Sequence, residues 1–146
     1  MDVNTSRFGS LRLNDEDVFF FPFGLIGLEG HHHWVLLADG ANEAVGWLQS
    51  TTEPDTALAV ISPRRFVPHY RVRIASRELL ALELQVVDEA YVLNVVSSEN
   101  GRLTVNLRAP LLFNLEKRLG RQVITTDDQP LQWELLASPL KLRKSA

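Results

Sequence analysis

The stretch Tyr91-Val92-Leu93-Asn94-Val95-Val96-Ser97-Ser98-Glu99-Asn100-Gly101-Arg102-Leu103-Thr104-Val105-Asn106-Leu107 decides how the rest of the chain is read. Two runs of strand composition, residues 91–97 and 102–107, flank Ser98-Glu99-Asn100-Gly101. Asn-Gly supplies the positive φ that a tight turn between antiparallel strands needs, so the stretch reads as a β-hairpin. Working outward, similar short runs recur at 7–13, 17–21, 34–37, 45–50, 57–61, 71–74, 111–113, 122–125 and 131–136. Turn residues separate them at the spacing of an all-β barrel or sandwich, not of alternating βαβ units. The predicted fold is all-β and mainly antiparallel: a small, closed or partly open β-barrel-like single domain. Two segments read as short helical turns. Ser76 stands where it would cap 77–82, and Asn114 where it would cap 115–119, with Gly120 at the C′ position.

The 146 residues suffice for one domain. It is expected over residues 1–138, with 139–146 as a frayed tail after Pro139. Hydrophobic residues make up 45% and charged residues 23%, which excludes collagen-like, low-complexity and disordered classes. No apolar run is long enough for a membrane helix, and the start has neither basic n-region nor apolar h-region. Cysteine is absent, which excludes disulfides, thiolate nucleophiles and cysteine-based metal sites. These features fit a cytoplasmic protein. The net charge of −3 argues against general nucleic-acid binding. The charge is uneven: residues 1–63 hold nine acids against two bases, and the remainder nine acids against thirteen bases. Folding either keeps an acidic face or mixes the two halves on one surface.

No catalytic constellation emerges. His31-His32-His33 is the most conspicuous run, but adjacent side chains diverge from an extended or turn backbone and cannot converge on one metal. It reads as a solvated turn, and no metal or cofactor is expected. His69 reads as a surface strand residue. The chain has no Gly-x-Ser-x-Gly elbow. The acid pairs Asp15/Asp17, Asp88/Glu89 and Asp127/Asp128 lie in turn-like contexts. The glycine-rich run 24–30 lacks the lysine of a P-loop and the spacing of a dinucleotide fingerprint, so it reads as a compact turn. Amides do stand at strand positions. Gln49, Asn106 and Asn114 are of the kind that satisfies irregular backbone or faces an interface, and the structural role is preferred for the two asparagines.

With these residues in view, the sequence resembles the flagellar assembly factor FliW family, over most of its length from about Phe8 to Leu135. The resemblance rests on Phe23-Gly24-Leu25-Ile26-Gly27-Leu28-Glu29, Trp47-Leu48-Gln49-Ser50 and Leu58-Ala59-Val60-Ile61 with Pro63. It continues through Phe66, Pro68 and Tyr70, then Thr104-Val105-Asn106-Leu107-Arg108-Ala109-Pro110, Asn114 and Gly120-Arg121-Gln122-Val123-Ile124. Each piece is weak alone; their order and spacing are specific. The chain departs from the family pattern at Ile26, where proline is usual, at Leu28, where phenylalanine is usual, and at Ser62, where aspartate often precedes the proline.

The resemblance implies a cytoplasmic, non-enzymatic regulator on a small antiparallel β-barrel. Proteins of this kind bind flagellin, and they bind and antagonise the translational repressor CsrA, so that flagellin level is coupled to flagellin synthesis. On that reading neither nucleic acid nor membrane is a direct partner. Glu43, Glu53 and Asp55 are expected to face CsrA, whose RNA-binding role implies basic surface. Gln49 is a further partner contact. The aromatic-proline stretch Phe66, Pro68 and Tyr70 is expected either to stand out as apolar anchors for flagellin or to fold inward and close one end of the barrel. Gly24, Gly27, Asn106, Pro110, Asn114, Gly120 and Gln122 are expected to be structural. The alternative is a small-ligand-binding or enzymatic β-barrel that uses its mouth.

Overall fold

The computed structural model describes residues 1–135. β1 (Asp2–Thr5) and β2 (Gly9–Arg12) form an antiparallel hairpin of their own. The main sheet is built from β3 (Val18–Phe20), β4 (His33–Ala38), β5 (Val45–Ser50), β6 (Ala57–Ile61), β7 (Tyr91–Glu99), β9 (Leu111–Asn114) and β10 (Leu119–Gln122). Two helices, α1 (Pro63–Phe66) and α2 (Ser76–Ala81), fall between β6 and β7. β8 (Arg102–Val105) and β11 (Trp133–Glu134) complete the elements.

The ring β3-β4-β5-β6-β7-β9-β10 is antiparallel at each step and closes where β10 meets β3. Seven strands cannot alternate direction all the way round, so one neighbouring pair must run parallel. That pair is β3–β10, joined by the single register pair Leu119 opposite Phe20. Besides pairing with β6, β7 serves two further neighbours: Tyr91, Val92 and Leu93 pair with β9, whereas Val96 to Glu99 pair with β8. β8 in turn carries β11. The turn between β7 and β8 is Asn100-Gly101, with φ of 51° and 77°, as the Asn-Gly signal predicts.

Apolar side chains pack on both sides of the wall. Phe19, Phe21, Trp34, Leu48, Val60, Leu93, Leu111 and Phe113 fill the barrel. The alternate residues Val45, Trp47, Ala59, Ile61 and Val96 point the other way, beneath Val105 and Leu107. α2 brings Leu79 onto Leu112 and Val123, and the β1–β2 hairpin sets Val3 and Leu13 against Val18 and Val35. Burial on both faces explains why runs such as Ala57–Ile61 are apolar throughout instead of alternating.

Several expectations are corrected. The segment 115–119 is not a helix. Asn114 accepts the Lys117 amide at 3.0 Å, the bond a helix cap would make, but the chain turns back through Arg118 at φ 55° and enters β10. Gly120 is therefore no C′ residue but an interior position of β10, so the strand expected at 122–125 begins three residues earlier. Residues 71–74 form no strand, because no neighbouring strand is there to pair with them; Val72 and Ile74 pack against the α2 cluster instead. α1 follows Ser62 and begins at Pro63, where the first turn tolerates the missing N–H. α2 starts one residue early, with Ala75 and not Ser76 at the N-cap. β1 lies outside the run at 7–13, of which only Gly9–Arg12 is strand. The expected tail, 139–146, and Leu136 lie outside the described residues.

At the parallel seam, a β-carbon added to Gly120 would stand 2.2 Å from the Phe21 ring. Gly120→Ala is expected to destabilise the protein by about 3 kcal/mol, since neither the ring nor the strand can withdraw without opening the seam. Urea unfolding should show a lower midpoint with an unchanged slope.

Candidate functional site

The barrel has two unlike ends. The loop from β3 to β4, residues 21–32, covers one of them. Gly24 takes φ 64° and leaves no room for a side chain beside the Leu28 and Glu29 carbonyls, which lie 2.6 Å from where its β-carbon would be. The tight turn that results, closed by the Leu25–Leu28 bridge, carries Leu25 into the barrel core at 2% exposure. Gln122 holds this loop to the far side of the seam. Its Oε1 accepts the Ile26 amide at 2.8 Å, and its Nε2 donates to the Ala109 carbonyl at 3.1 Å. A side chain thus bridges where the β3–β10 ladder has stopped.

The three histidines go to three different neighbours. His31 lies against Trp34, the His32 Nδ1 is 3.0 Å from the Phe21 carbonyl, and His33 stacks on Phe20. Divergence of successive side chains accounts for this.

Gln49 is corrected most sharply. It is wholly buried and offers no surface to a partner. Its Nε2 donates to the carbonyls of Ser50 and Thr56 at 3.0 and 3.2 Å, and reaches those of Glu53 and Pro54. It pins the 51–56 loop from below. Asn106 Oδ1 accepts the Arg108 and Ala109 amides, and Asn114 Nδ2 donates to Leu82, so both asparagines hold turns. Pro110 is buried, with its carbonyl accepting the Val123 amide. Gly27 sits at the loop tip with φ 86°.

Glu43, Glu53 and Asp55 are all exposed but do not share a face. Glu43 lies on the β4–β5 loop, whereas Glu53 and Asp55 lie on the β5–β6 loop at the opposite end of β5, roughly 20 Å away by strand rise. Asp55 accepts a hydrogen bond from Ser6.

Phe66 and Tyr70 fold inward, flanking the cluster of Val45, Trp47, Ile61 and Val105, while Pro68 is exposed. The Tyr70 hydroxyl donates to the Leu107 carbonyl at 2.6 Å and accepts from Asn94 Nδ2 at 3.3 Å; Asn94 also donates to the Asn106 carbonyl at 2.8 Å. Asn94 is fully buried in the middle of β7 and went unnoticed in the sequence. Its signal was available: a lone amide inside the apolar run Val92-Leu93-Asn94-Val95-Val96.

A family model described as FliW protein matches residues 2–135. The chain belongs to the FliW family. The flagellar assembly factor FliW of Bdellovibrio bacteriovorus is 36% identical over 130 residues, spanning 88% of this chain and 74% of that protein. The flagellar assembly factor FliW of Thermoanaerobacter pseudethanolicus is 33% identical over 134 residues, spanning 90% and 89%. A crystal structure of the flagellar assembly factor FliW shares the fold with a TM-score of 0.85 at 24% identity, covering 96% of this chain and 100% of that one. FliW membership supports a role in flagellar assembly, and no described helix is long and apolar enough to cross a membrane.

Burial raises the Tyr70 pKa above its usual 10.0, with Asn94 acting in the opposite sense. Tyr70→Phe is expected to cost about 1–2 kcal/mol at neutral pH, from the lost hydroxyl bonds. A raised pKa in the folded state means that Tyr70 contributes its stability below pH 10 and loses it as pH climbs past that value toward the folded pKa. The gap between wild type and Tyr70→Phe should therefore narrow above pH 10 in denaturant titrations.

Proposed function

We propose that this protein is a non-enzymatic regulator in the cytoplasm that binds flagellin and binds and antagonises CsrA. Flagellin competing for the protein would release CsrA, so that flagellin synthesis follows flagellin consumption. The observation that carries this reading is the family match over residues 2–135. Two features of the surface support it. The exposed acids Glu43, Glu53 and Asp55 suit a basic partner, and they line two opposite ends of the barrel, leaving room for separate contacts. For flagellin, the exposed Pro68 and the part of Phe66 left uncovered at the end of α1 form a small apolar strip, which an amphipathic segment can cover. Tyr70 supports that strip from within.

The test is reconstitution from purified components. CsrA should be retained by the immobilised protein, and added flagellin should displace it. CsrA affinity should fall as salt rises, because charge steers the encounter. Reversing Glu53 and Asp55 to lysine should slow association more than it speeds dissociation. Failure to retain either protein overturns the reading; a salt-insensitive CsrA affinity removes the acidic ends from it.

A further inference from the structure

Among the described residues, no loop corks the end of the barrel opposite the 21–32 loop. Here the inward-facing and partly exposed Leu36, with Val60 and Leu93 buried beneath it, lies at the base of an open trough of about 700 Å³. Its depth depends on Gly46. This is an inward position of β5, between Val45 and Trp47, which point outward. A β-carbon there would lie 3.3 Å from Val60 Cγ2 and 3.4 Å from Leu36 Cδ1, so a side chain at this position would crowd both neighbours and make the trough shallower. One lip is α1, with Arg64 and Arg65 exposed and paired with no carboxylate among the described residues. The facing lip carries Glu43, and Tyr91, 40% exposed, stands at the side. Leu36, Leu37 and Tyr91 also line a second trough of about 480 Å³, which extends the first toward Leu115 and Arg118. The combined shape is elongated and open, suited to a stretch of chain more than to a compact small molecule.

We propose that this mouth receives a peptide segment from a partner protein, which seats one aliphatic side chain over Gly46 and passes a neighbouring carboxylate to Arg64 and Arg65. The apolar floor supplies burial for the anchor, and the two guanidiniums supply charge complementarity and fix its direction relative to Glu43. The site is distinct from the Phe66–Pro68 strip and does not depend on the identity of either proposed partner.

The test is a methyl NMR titration of the full chain with a short, end-blocked peptide carrying a leucine between two glutamates. Saturable shifts are expected at Leu36, Val60 and Leu93. Replacing the glutamates by lysines, or the leucine by serine, should remove them. Arg64→Glu with Arg65→Glu, both exposed and outside the core, should weaken binding about tenfold, equivalent to roughly 1.4 kcal/mol, with the melting temperature unchanged. Gly46→Ala should weaken binding through the seat alone, leaving the salt dependence as in wild type. Equal binding of the lysine peptide, shifts confined to another face, no binding of the glutamate peptide, or indifference to the double arginine reversal would each overturn the proposal.

Discussion

The parallel contact between β3 and β10 is the constraint on which the rest of the architecture depends. A seven-membered ring of strands must contain such a pair, and here it has one register pair, the least ladder that can close a barrel. Two side-chain devices compensate. Gly120 gives up its side chain so that the Phe21 ring can lie against the strand, and Gln122 replaces missing backbone bonds with its amide. Two of the pieces of sequence that carry the family resemblance, 23–29 and 120–124, meet beside this seam through the bond from the Ile26 amide to Gln122.

A second constraint follows from the length of β7. Its first half belongs to the barrel and its second half to the β8–β11 flap. At the fork, just past the end of β8, the carbonyls of Asn106 and Leu107 accept hydrogen bonds from Asn94 and Tyr70 in place of a regular ladder. Fixing those carbonyls places Asn106 to receive the two amides that start the next turn. Tyr70 thus acts as a brace between the irregular 67–75 segment and the flap. Its hydroxyl explains why an aromatic near two prolines faces inward, although its neighbours look like a surface loop.

The two ends of the barrel differ because the chain spends its glycines differently at each. At one end Gly24 permits a turn that drives Leu25 into the core; at the other Gly46 withholds a side chain at the base of an open trough. A closed barrel has few free edges through which to recognise another protein, so loops and mouths are what remain for binding. Exposed charge follows the same division, with Glu43 and the α1 arginines around the open end and Glu53 and Asp55 at the other.

The sequence by itself determined the class of fold, the β7–β8 hairpin through Asn100-Gly101, the strands Val45–Ser50 and Ala57–Ile61, and the divergence of the three histidines. These are local properties: turn chemistry, strand composition and side-chain direction act over a few residues. Family pattern made the flagellar context legible as well, through order and spacing. Only the tertiary structure decided that Asn114 and Gly120 bracket a strand turn, because a cap bond from Asn114 to Lys117 serves a helix and a hairpin equally, and the choice falls to the Phe21 ring almost a hundred positions earlier in the chain. It likewise decided that Gln49 points into its own loop, that Glu43 stands apart from Glu53 and Asp55, and that Gly46 faces the open mouth. Which wall of a barrel a residue faces, and at which end it lies, depends on how the ring closes, and closure rests on contacts between segments distant in sequence.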